Sequence, residues 1–333
     1  MGPSQSRERT HRILEAIIRT YSELGVPVGS EFLCHRHSFG VSSATIRSIM
    51  AELEEQGLIT HPHTSAGRVP TDQGYRYYVD LLMEQDRIRE EDERTIDRMG
   101  TDRSLGSLEL LEEASRLLSE ITQAAGVALV PQLAHGSFRH LELIPVGPQQ
   151  VVAVLITTEG LVKHGRWNLP REAAPVDLDQ LAALLNEEFE GMPLARIPAQ
   201  LENRISPLDL SRMIPFFAED PSVIVEGSRW VFEAPEFRDI ERTRRLVRGL
   251  EERDDLAEIL QRDLGADEVK LHIGSENRGT SLVDCSIVSA PYRLGGGVMG
   301  AIGVLGPTRM DYPRVTGLVL RIAERLTRRL EDE

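Results

Sequence analysis

The sequence predicts an α+β protein with several domains, and three observations support this. The chain has 333 residues, which exceeds the size at which a single hydrophobic core usually stops growing. Its first 80 residues show helical periodicity and then turn residues typical of a hairpin. Further along, residues 171–265 have mainly helical periodicity and separate two sets of strand-like runs, which is typical of a domain inserted into a sheet.

The first predicted element is a helix from about Glu8 to Leu24. Apolar residues recur along one side of it, and Gly25 favours the left-handed conformation that closes many helices. Pro27 then requires an extended link, and Ser30 is the predicted N-cap of a short helix that runs to His37. A turn follows this second helix and leads into a third.

The third helix, which we call the reading helix, has two distinct faces. Either Ser42 or Ser43 caps its start, and Gly57 ends it. Its apolar stripe must be buried and consists of Ile46, Ile49, Met50 and Leu53. Its opposite stripe is small and polar and consists of Ala44, Thr45, Arg47, Ser48 and Ala51. A face this slim fits the major groove of B-DNA, where an arginine can bind guanine through two hydrogen bonds.

The acidic residues of the reading helix lie in its C-terminal half. They are Glu52, Glu54 and Glu55. Because carboxylates are repelled by the phosphate backbone, we expect only the first turns of the helix to approach DNA. The sequence therefore predicts that these three acids face solvent.

A hairpin is predicted after the reading helix, with strands at Leu58–Thr60 and Arg68–Pro70. The loop between them, residues 62–67, is rich in turn formers and can project towards the DNA backbone. Helices followed by such a hairpin predict a winged helix-turn-helix. A further helix from about Thr71 either extends this first domain, residues 1–83, or contributes to a dimer contact.

Beyond the first domain, residues 84–104 are dense in Asp, Glu and Arg, which predicts a solvated helix or linker. A helix at about 105–121 and a closing helix at about Pro313–Leu330 flank the strand-like segments. The predicted strands are Val127–Val130, Ser137–Pro145, Val151–Thr157, Leu161–Trp167, Val269–Ile273, Asp284–Ala290 and Val298–Leu305. Within the inserted block we predict helices at Leu178–Phe189, Leu208–Phe217 and Phe237–Leu264 and a strand pair at 223–227 and 230–232.

The formal charge of −15 argues at first against nucleic-acid binding. Its distribution weakens that objection, because residues 1–80 hold eight arginines against nine acids, a net charge of −1, and leave −14 for the remainder. A DNA-binding domain that is nearly neutral attracts phosphates weakly. We therefore expect binding to depend on a few placed arginines and on two copies of the chain.

Composition also bears on the compartment. No apolar run approaches the roughly 18 residues of a membrane span, and the charged start lacks the apolar core of a signal peptide, so we expect a cytoplasmic protein without a membrane partner. Cys34 and Cys285 are the only cysteines and are predicted to be free thiols.

Two other patterns suggest chemistry but fail on spacing. Imidazole and thiolate groups that suit zinc occur at Cys34, His35, His37, His61 and His63, but no CxxC or HxxxH pattern links them, so no metal site is predicted. His63 is instead a candidate phosphate donor in the hairpin loop. Gly295–Gly297 resembles part of a nucleotide loop, yet neither lysine of the chain is near it, and a turn is the better interpretation.

Three blocks of residues, in order, resemble the heat-inducible transcription repressor family (HrcA). The first is Ser42-Ser43-Ala44-Thr45-Ile46-Arg47 with Met50-Ala51-Glu52-Leu53-Glu54 and Gly57-Leu58. The second is His63-Thr64-Ser65-Ala66-Gly67-Arg68-Val69-Pro70-Thr71 with Gly74-Tyr75-Arg76. The third is Gly303-Val304-Leu305-Gly306-Pro307-Thr308-Arg309-Met310-Asp311-Tyr312. The resemblance extends over nearly the whole chain.

The resemblance implies a winged-helix domain, a GAF-like domain formed by residues 105–170 and 266–333, and a dimerisation domain at 171–265 inserted into it. It also implies a dimer that binds an inverted-repeat operator before chaperone genes, represses transcription, and depends on the GroE chaperonin to stay active. Heat diverts the chaperonin, and repression lapses.

The DNA-binding residues expected from the face of the helix and from the resemblance are Ser42, Ser43, Thr45, Arg47, Ser48, His63, Ser65, Gly67 and Arg68. Ser42 also serves as a helix cap. No catalytic motif is present, and no cofactor is expected. Two other functions stay open: a ligand-gated regulator that senses a small molecule in the GAF-like domain, and a scaffolding role for the acidic C-terminal two-thirds.

Overall fold

A computed structural model describes residues 3–331 apart from 63–66, 84–87, 100–104, 132–135, 159, 161, 170–174, 203–222, 266–267 and 295–297. The described chain contains a helical N-terminal unit with a small hairpin, a five-stranded sheet covered by helices on both faces, and a separate three-stranded sheet. The mixed α+β class predicted from the sequence is confirmed.

The N-terminal unit consists of α1 (Pro3–Leu24), α2 (Ser30–Arg36), α3 (Ser43–Glu55), β1 (Ile59–Thr60), β2 (Val69–Pro70) and α4 (Asp72–Leu81). Buried apolar residues of α1, α3 and α4 form its core, among them Ile13, Ile17, Ile46, Leu53 and Tyr78. Gly25 has a φ of +65° and closes α1, as predicted. Ser30 is wrong as a cap, because Gly29 holds that position and Ser30 is the buried first residue of α2.

The later strands are β3 (Ala125–Leu129), β4 (Phe138–Gly147), β5 (Gln150–Thr157), β6 (Val162–Asn168), β7 (Val223–Glu226), β8 (Lys270–Ile273), β9 (Cys285–Arg293) and β10 (Met299–Pro307). The later helices are α5 (Glu90–Arg98), α6 (Ser107–Thr122), α7 (Pro175–Phe189), α8 (Ile197–Glu202), α9 (Arg229–Glu233), α10 (Ile240–Glu252), α11 (Asp254–Asp263) and α12 (Tyr312–Glu331). Short 3-10 turns occupy Leu194–Arg196, Pro235–Arg238 and Gly274–Asn277.

The five-stranded sheet has the order β7-β3-β10-β9-β8, and all of its neighbouring strands are antiparallel. Alternate residues of β10 belong to different apolar clusters: Ile302 and Val304 pack on the side of α6 and α12, and Ala301 and Leu305 pack on the side of α9 and α11. Burial on both faces explains why this strand is an almost continuous apolar run in the sequence.

The three-stranded sheet has the order β4-β5-β6, and α7 covers one of its faces. Phe138 and Phe189 meet edge to face with ring centroids 5.9 Å apart. The side chain of Asn186 donates to the carbonyl of Leu141 at 2.9 Å and accepts from its amide at 2.6 Å, which fixes the helix on the strand. The other face of this sheet has no helix on it among the contacts described.

The assignment of strands to the two sheets differs from the prediction. We expected Val223–Gly227 to lie in the inserted block, but β7 is the edge strand beside β3. We expected β4, β5 and β6 to join the discontinuous sheet, but they form a sheet of their own. Apolar alternation identifies a strand but not its partner, since pairing is decided by contacts between distant parts of the chain.

Two local predictions for the inserted block, residues 171–265, were also wrong. Residues 230–232 are helical in α9 rather than a strand. The helix expected at Phe237–Leu264 is broken, because Arg253 has a φ of +60° and donates from its Nη1 to the carbonyl of Val223 at 2.6 Å. The helix predicted at Leu208–Phe217 lies outside the described residues.

The acidic segment before α6 is not a solvated linker where it is described. Ile96 and Met99 are fully or almost fully buried, and Asp92 is 8% exposed. The α12 guanidinium groups hold this helix, with Arg314 3.0 Å from Asp92 and Arg321 donating from its Nε to Glu93 at 2.8 Å. Opposite charges therefore join α5 to α12 in a packed interface. The composition of α5 alone is typical of a solvent-exposed segment.

The N-terminal unit contacts the five-stranded sheet through α4. Arg76 donates from its Nε to Glu276 at 2.7 Å and from its Nη2 to the carbonyl of Leu271 at 2.7 Å. Asp72 accepts from the amide of Ser275 at 2.8 Å. These contacts explain why α4 packs against the sheet as well as within the first domain.

None of the described helices combines the length and the apolar content needed to cross a bilayer.

The closest backbone contact between β3 and α6 gives a test of the fold. A Cβ added to Gly126 would lie 1.8 Å from the carbonyl oxygen of Ser115, so we expect Gly126→Ala to lower the free energy of unfolding by about 3 kcal/mol. Gly265→Ala is the matched control, because nothing lies within 4 Å of the added methyl group. Urea unfolding followed by circular dichroism measures both, and equal stabilities would contradict this packing.

Candidate nucleic-acid interface

The reading helix starts at a well-formed cap. Ser42 has an extended backbone conformation, and its Oγ accepts a hydrogen bond from the amide of Thr45 at 3.3 Å. The hydroxyl groups of Ser42 and Thr45 are 3.1 Å apart. The predicted alternative of Ser43 as the cap is wrong, because Ser43 is the first helical residue.

The two faces of α3 are divided as the sequence predicted. Its buried side chains are Ile46, Ile49, Met50 and Leu53. Its exposed side chains in the first three turns are Ala44, Thr45, Arg47, Ser48 and Ala51, and Ser43 is half-buried. Packing against α1 and α2 therefore uses one stripe and leaves the slim polar stripe open to solvent.

Arg47 is the central cation of the exposed stripe. Its side chain makes no hydrogen bond or ion pair with any residue that the structure describes. Other arginines of the N-terminal unit have carboxylate partners, among them Arg19 with Glu15, Arg36 with Glu23, Arg68 with Glu54, and Arg76 with Glu276. The donors of the Arg47 guanidinium are therefore open to solvent within the described part of the chain.

The hairpin follows directly and is held at its base. Residues Ile59 and Thr60 pair with Pro70 and Val69 in an antiparallel ladder. The amide and carbonyl of Arg68 exchange hydrogen bonds of 2.8 Å with those of Val28, so the second strand is also tied to the segment before α2. His63 and Ser65, two predicted contact residues, lie outside the described residues.

Gly67 and Arg68 occupy positions with structural roles. A Cβ at Gly67 would lie 2.6 Å from the backbone of Val28, so only glycine permits this close approach. Arg68 places its Nε 2.9 Å and its Nη2 2.8 Å from an oxygen of Glu54. Neither contact was predicted from the sequence.

Glu54 is the residue whose role the sequence interpretation missed. We expected it to face solvent with Glu52 and Glu55, but it also contacts the Nδ1 of His61 and so touches both sides of the hairpin. Desolvation raises the pKa of Glu54, while hydrogen bonds and charge from His61 and Arg68 lower it, and the net effect is a lowered pKa. The only signal in the sequence was an acid and two basic residues at unremarkable spacings.

The side chains that could suit zinc by residue type make other contacts in the structure. The thiol of Cys34 donates to the carbonyl of Val41 at 3.7 Å, and His37 stacks on Phe39. No group of three or more candidate metal ligands occurs among the described residues, from which His63 is excluded. Both cysteines are free, and burial raises the pKa of the Cys285 thiol to about 12, so it stays protonated.

Comparisons with known proteins identify the family of this chain. The model of the HrcA protein C-terminal domain matches residues 108–316. The heat-inducible transcription repressor HrcA of Desulforamulus reducens is 36% identical over 97% of this chain and 97% of its own length. The corresponding repressor of Moorella thermoacetica is 34% identical over 98% of both chains.

A crystal structure of a hypothetical protein, solved at 2.2 Å resolution, has a similar fold. It aligns with a TM-score of 0.67, over 97% of this chain and 98% of its own, at 21% identity. Both repressors thus match this chain over 97% or more of its length at more than 30% identity. The chain therefore belongs to the HrcA family of heat-inducible transcription repressors.

Proposed function

We propose that the protein represses heat-shock (chaperone) operons in the cytoplasm by binding, as a homodimer, an inverted-repeat operator through a winged helix. One observation carries the proposal: α3 buries its apolar stripe and exposes a slim polar stripe whose arginine has no partner in the described chain. A hairpin stands beside that stripe. Members of the family named above are repressors by description.

The first turns of α3 enter the major groove in this proposal. Arg47 reads a base edge, and Thr45 and Ser48 lie on the same exposed stripe within reach of bases or phosphates. Ser42 and Ser43 stand at the helix N-terminus, where backbone amides and the helix dipole favour a phosphate. His63, Ser65, Gly67 and Arg68 belong to the hairpin, which we assign to the adjacent backbone.

We assign the five-stranded sheet with its helices to the GAF-like domain. The inserted domain then consists of the three-stranded sheet with α7 and α8, about residues 136–202, instead of 171–265. Supporting this division, β3 pairs only with β7 and β10, and β4 to β6 pair only with one another among the described strands.

The open face of the three-stranded sheet is the proposed dimer surface. Its central strand directs Val152, Val154 and Ile156 outwards, and Val162 on the neighbouring strand is 62% exposed. A solvated face of an antiparallel sheet is normally polar, so an apolar one is typical of an interface.

Charges on this face fit a second copy of the chain. Glu142 and His164 flank Val154 in the register of the sheet, and Arg166 flanks Val152. A two-fold interface places the same patch against itself, and a patch with both an acid and bases can pair its charges across the axis. Such a dimer presents two reading helices to half-sites a whole number of turns apart, at about 10 base pairs per turn.

Dependence on the GroE chaperonin is proposed because the sheet assembles from distant segments. Strand β3 pairs with β7 about 100 residues later and with β10 about 175 residues later. Sheets with such non-local pairing form slowly and expose apolar strands while they form. A chaperonin that shelters this intermediate would control how much repressor is active.

Ligand gating has weaker support. A cavity of about 360 Å³ lies between α1, α6 and α12. Its arginines already have partners, because Arg309 donates to Glu236 at 2.7 Å and Arg314 pairs with Asp92. A purely scaffolding role would leave the exposed reading helix unexplained.

Replacement of Arg47 tests the DNA-binding proposal. We expect Arg47→Ala to weaken specific operator binding by about 1–3 kcal/mol, the usual contribution of a bidentate arginine to a base, without changing the fold. The measurement is a mobility-shift titration on an inverted repeat from upstream of a chaperonin operon and on a scrambled fragment. Arg248→Ala, an exposed arginine of α10, is the control. Unchanged affinity in a folded Arg47→Ala protein would remove this residue from the interface.

Replacement of Val154 tests the dimer surface. We expect Val154→Glu to raise the dimer dissociation constant roughly a hundredfold, because an unpaired carboxylate in an interface costs about 3 kcal/mol. Light scattering coupled to gel filtration gives the molar mass. Ile240→Glu serves as the control, since Ile240 is 64% exposed and lies on α10. A Val154→Glu protein that remains dimeric at nanomolar concentration would rule out this face.

Refolding tests the chaperonin proposal. Protein unfolded in urea is diluted with or without GroE chaperonin and ATP, and stoichiometric titration with operator DNA gives the active fraction. We expect the chaperonin to raise that fraction severalfold without appearing in the final protein–DNA complex. The same active fraction with and without chaperonin would refute this part of the proposal.

A further inference from the structure

The carboxylate of Glu54 joins three elements that are separate in sequence. It projects from the last full turn of α3, and it contacts His61 just after β1 and Arg68 just before β2. One oxygen accepts from the Nε and Nη2 of Arg68, and the other contacts the Nδ1 of His61. A single side chain of the reading helix therefore contacts the residues that adjoin both strands of the hairpin.

This arrangement is unlike that of the neighbouring acids. The side chains of Glu52 and Glu55 are exposed and make no hydrogen bond or ion pair with any residue in the described part of the chain. The side chain of Glu54 is 27% exposed, as is that of Arg68. Glu54 is the acid of α3 that faces the hairpin, and its neighbours face solvent.

The pairing also orients the guanidinium of Arg68. Its backbone is fixed by the two hydrogen bonds to Val28, and Glu54 engages its Nε and Nη2. The remaining nitrogen, Nη1, has no partner among the residues that the structure describes. A guanidinium held in this way can donate to a phosphate from one defined direction.

We propose that Glu54 is a positioning residue that holds the hairpin at a fixed angle to the reading helix, so that both elements meet the DNA together. This inference rests on the proposed function, because it concerns how the same interface binds its operator. According to this inference, the carboxylate of Glu54 favours DNA binding although it lies in a surface that faces the negatively charged phosphates.

Electrostatics alone leads to the opposite expectation. Removal of a negative charge from a DNA-binding domain reduces repulsion from the phosphates and so strengthens binding. If Glu54 positions the hairpin, its removal releases Arg68 and His61, and binding weakens although the domain becomes more positive. The sign of the change therefore separates the two roles.

The test compares Glu54→Gln with Glu55→Gln, two variants that remove the same charge from adjacent positions of one helix. Operator affinity is measured by titration, and hydroxyl-radical footprinting maps the contacts of each element. We expect Glu54→Gln to weaken binding about tenfold and to lose the protection given by the hairpin, since two charge-assisted contacts are removed. Glu55→Gln should bind at least as tightly as the unaltered protein.

If circular dichroism shows that Glu54→Gln is unfolded, Glu54→Asp replaces it in the test. It keeps the charge but shortens the side chain by one methylene group, so it should also reduce the protection from the hairpin. Wild-type affinity and footprint in the folded Glu54 variant would overturn the inference and leave the proposed function standing. Failure of the unaltered protein to bind the operator would instead overturn the proposed function.

Discussion

Burial of one stripe of α3 is the constraint on which the rest of the molecule depends. Because Ile46, Met50 and Leu53 pack into the N-terminal core, the side chains half a turn away must face solvent, and Arg47 is among them. The opposite stripe is small and polar, so it contributes little to a core and stays exposed. The same burial fixes Glu54 beside the hairpin, so packing determines both the exposed cation and the contact that orients Arg68.

A second set of contacts determines how the N-terminal unit is attached to the five-stranded sheet. The pairing of Arg76 with Glu276 and of Asp72 with the Ser275 amide joins α4 to the end of β8, and the rings of Tyr75 and Tyr312 lie 5.6 Å apart behind these contacts. Burial raises the pKa of Glu276, but hydrogen bonds from Arg76 and the Ile273 amide lower it, and the lowered pKa keeps the carboxylate ionised. Ordered polar contacts as well as apolar packing therefore join α4 to the five-stranded sheet.

The two sheets have different surroundings. The five-stranded sheet is buried on both faces, and its strands come from segments far apart in the chain, a topology that is typical of slow assembly. The three-stranded sheet is local in sequence and is covered on one face only. This open apolar face is the reason why we propose the three-stranded sheet as the dimer surface, whereas the five-stranded sheet contacts the N-terminal unit through α4.

The sequence by itself determined the helices of the first domain, the hairpin, the strands of both sheets and the exposed stripe with Arg47, because periodicity and caps act over a few residues. It did not determine that β7 joins β3, that Arg253 breaks a long helix, or that the acidic α5 packs against α12. Only the tertiary structure decided these, and it also decided that Glu54 binds Arg68 and His61 rather than solvent. The physical reason is shared: each depends on a partner distant in sequence, and residue type does not specify which of many possible partners the fold brings within hydrogen-bonding distance.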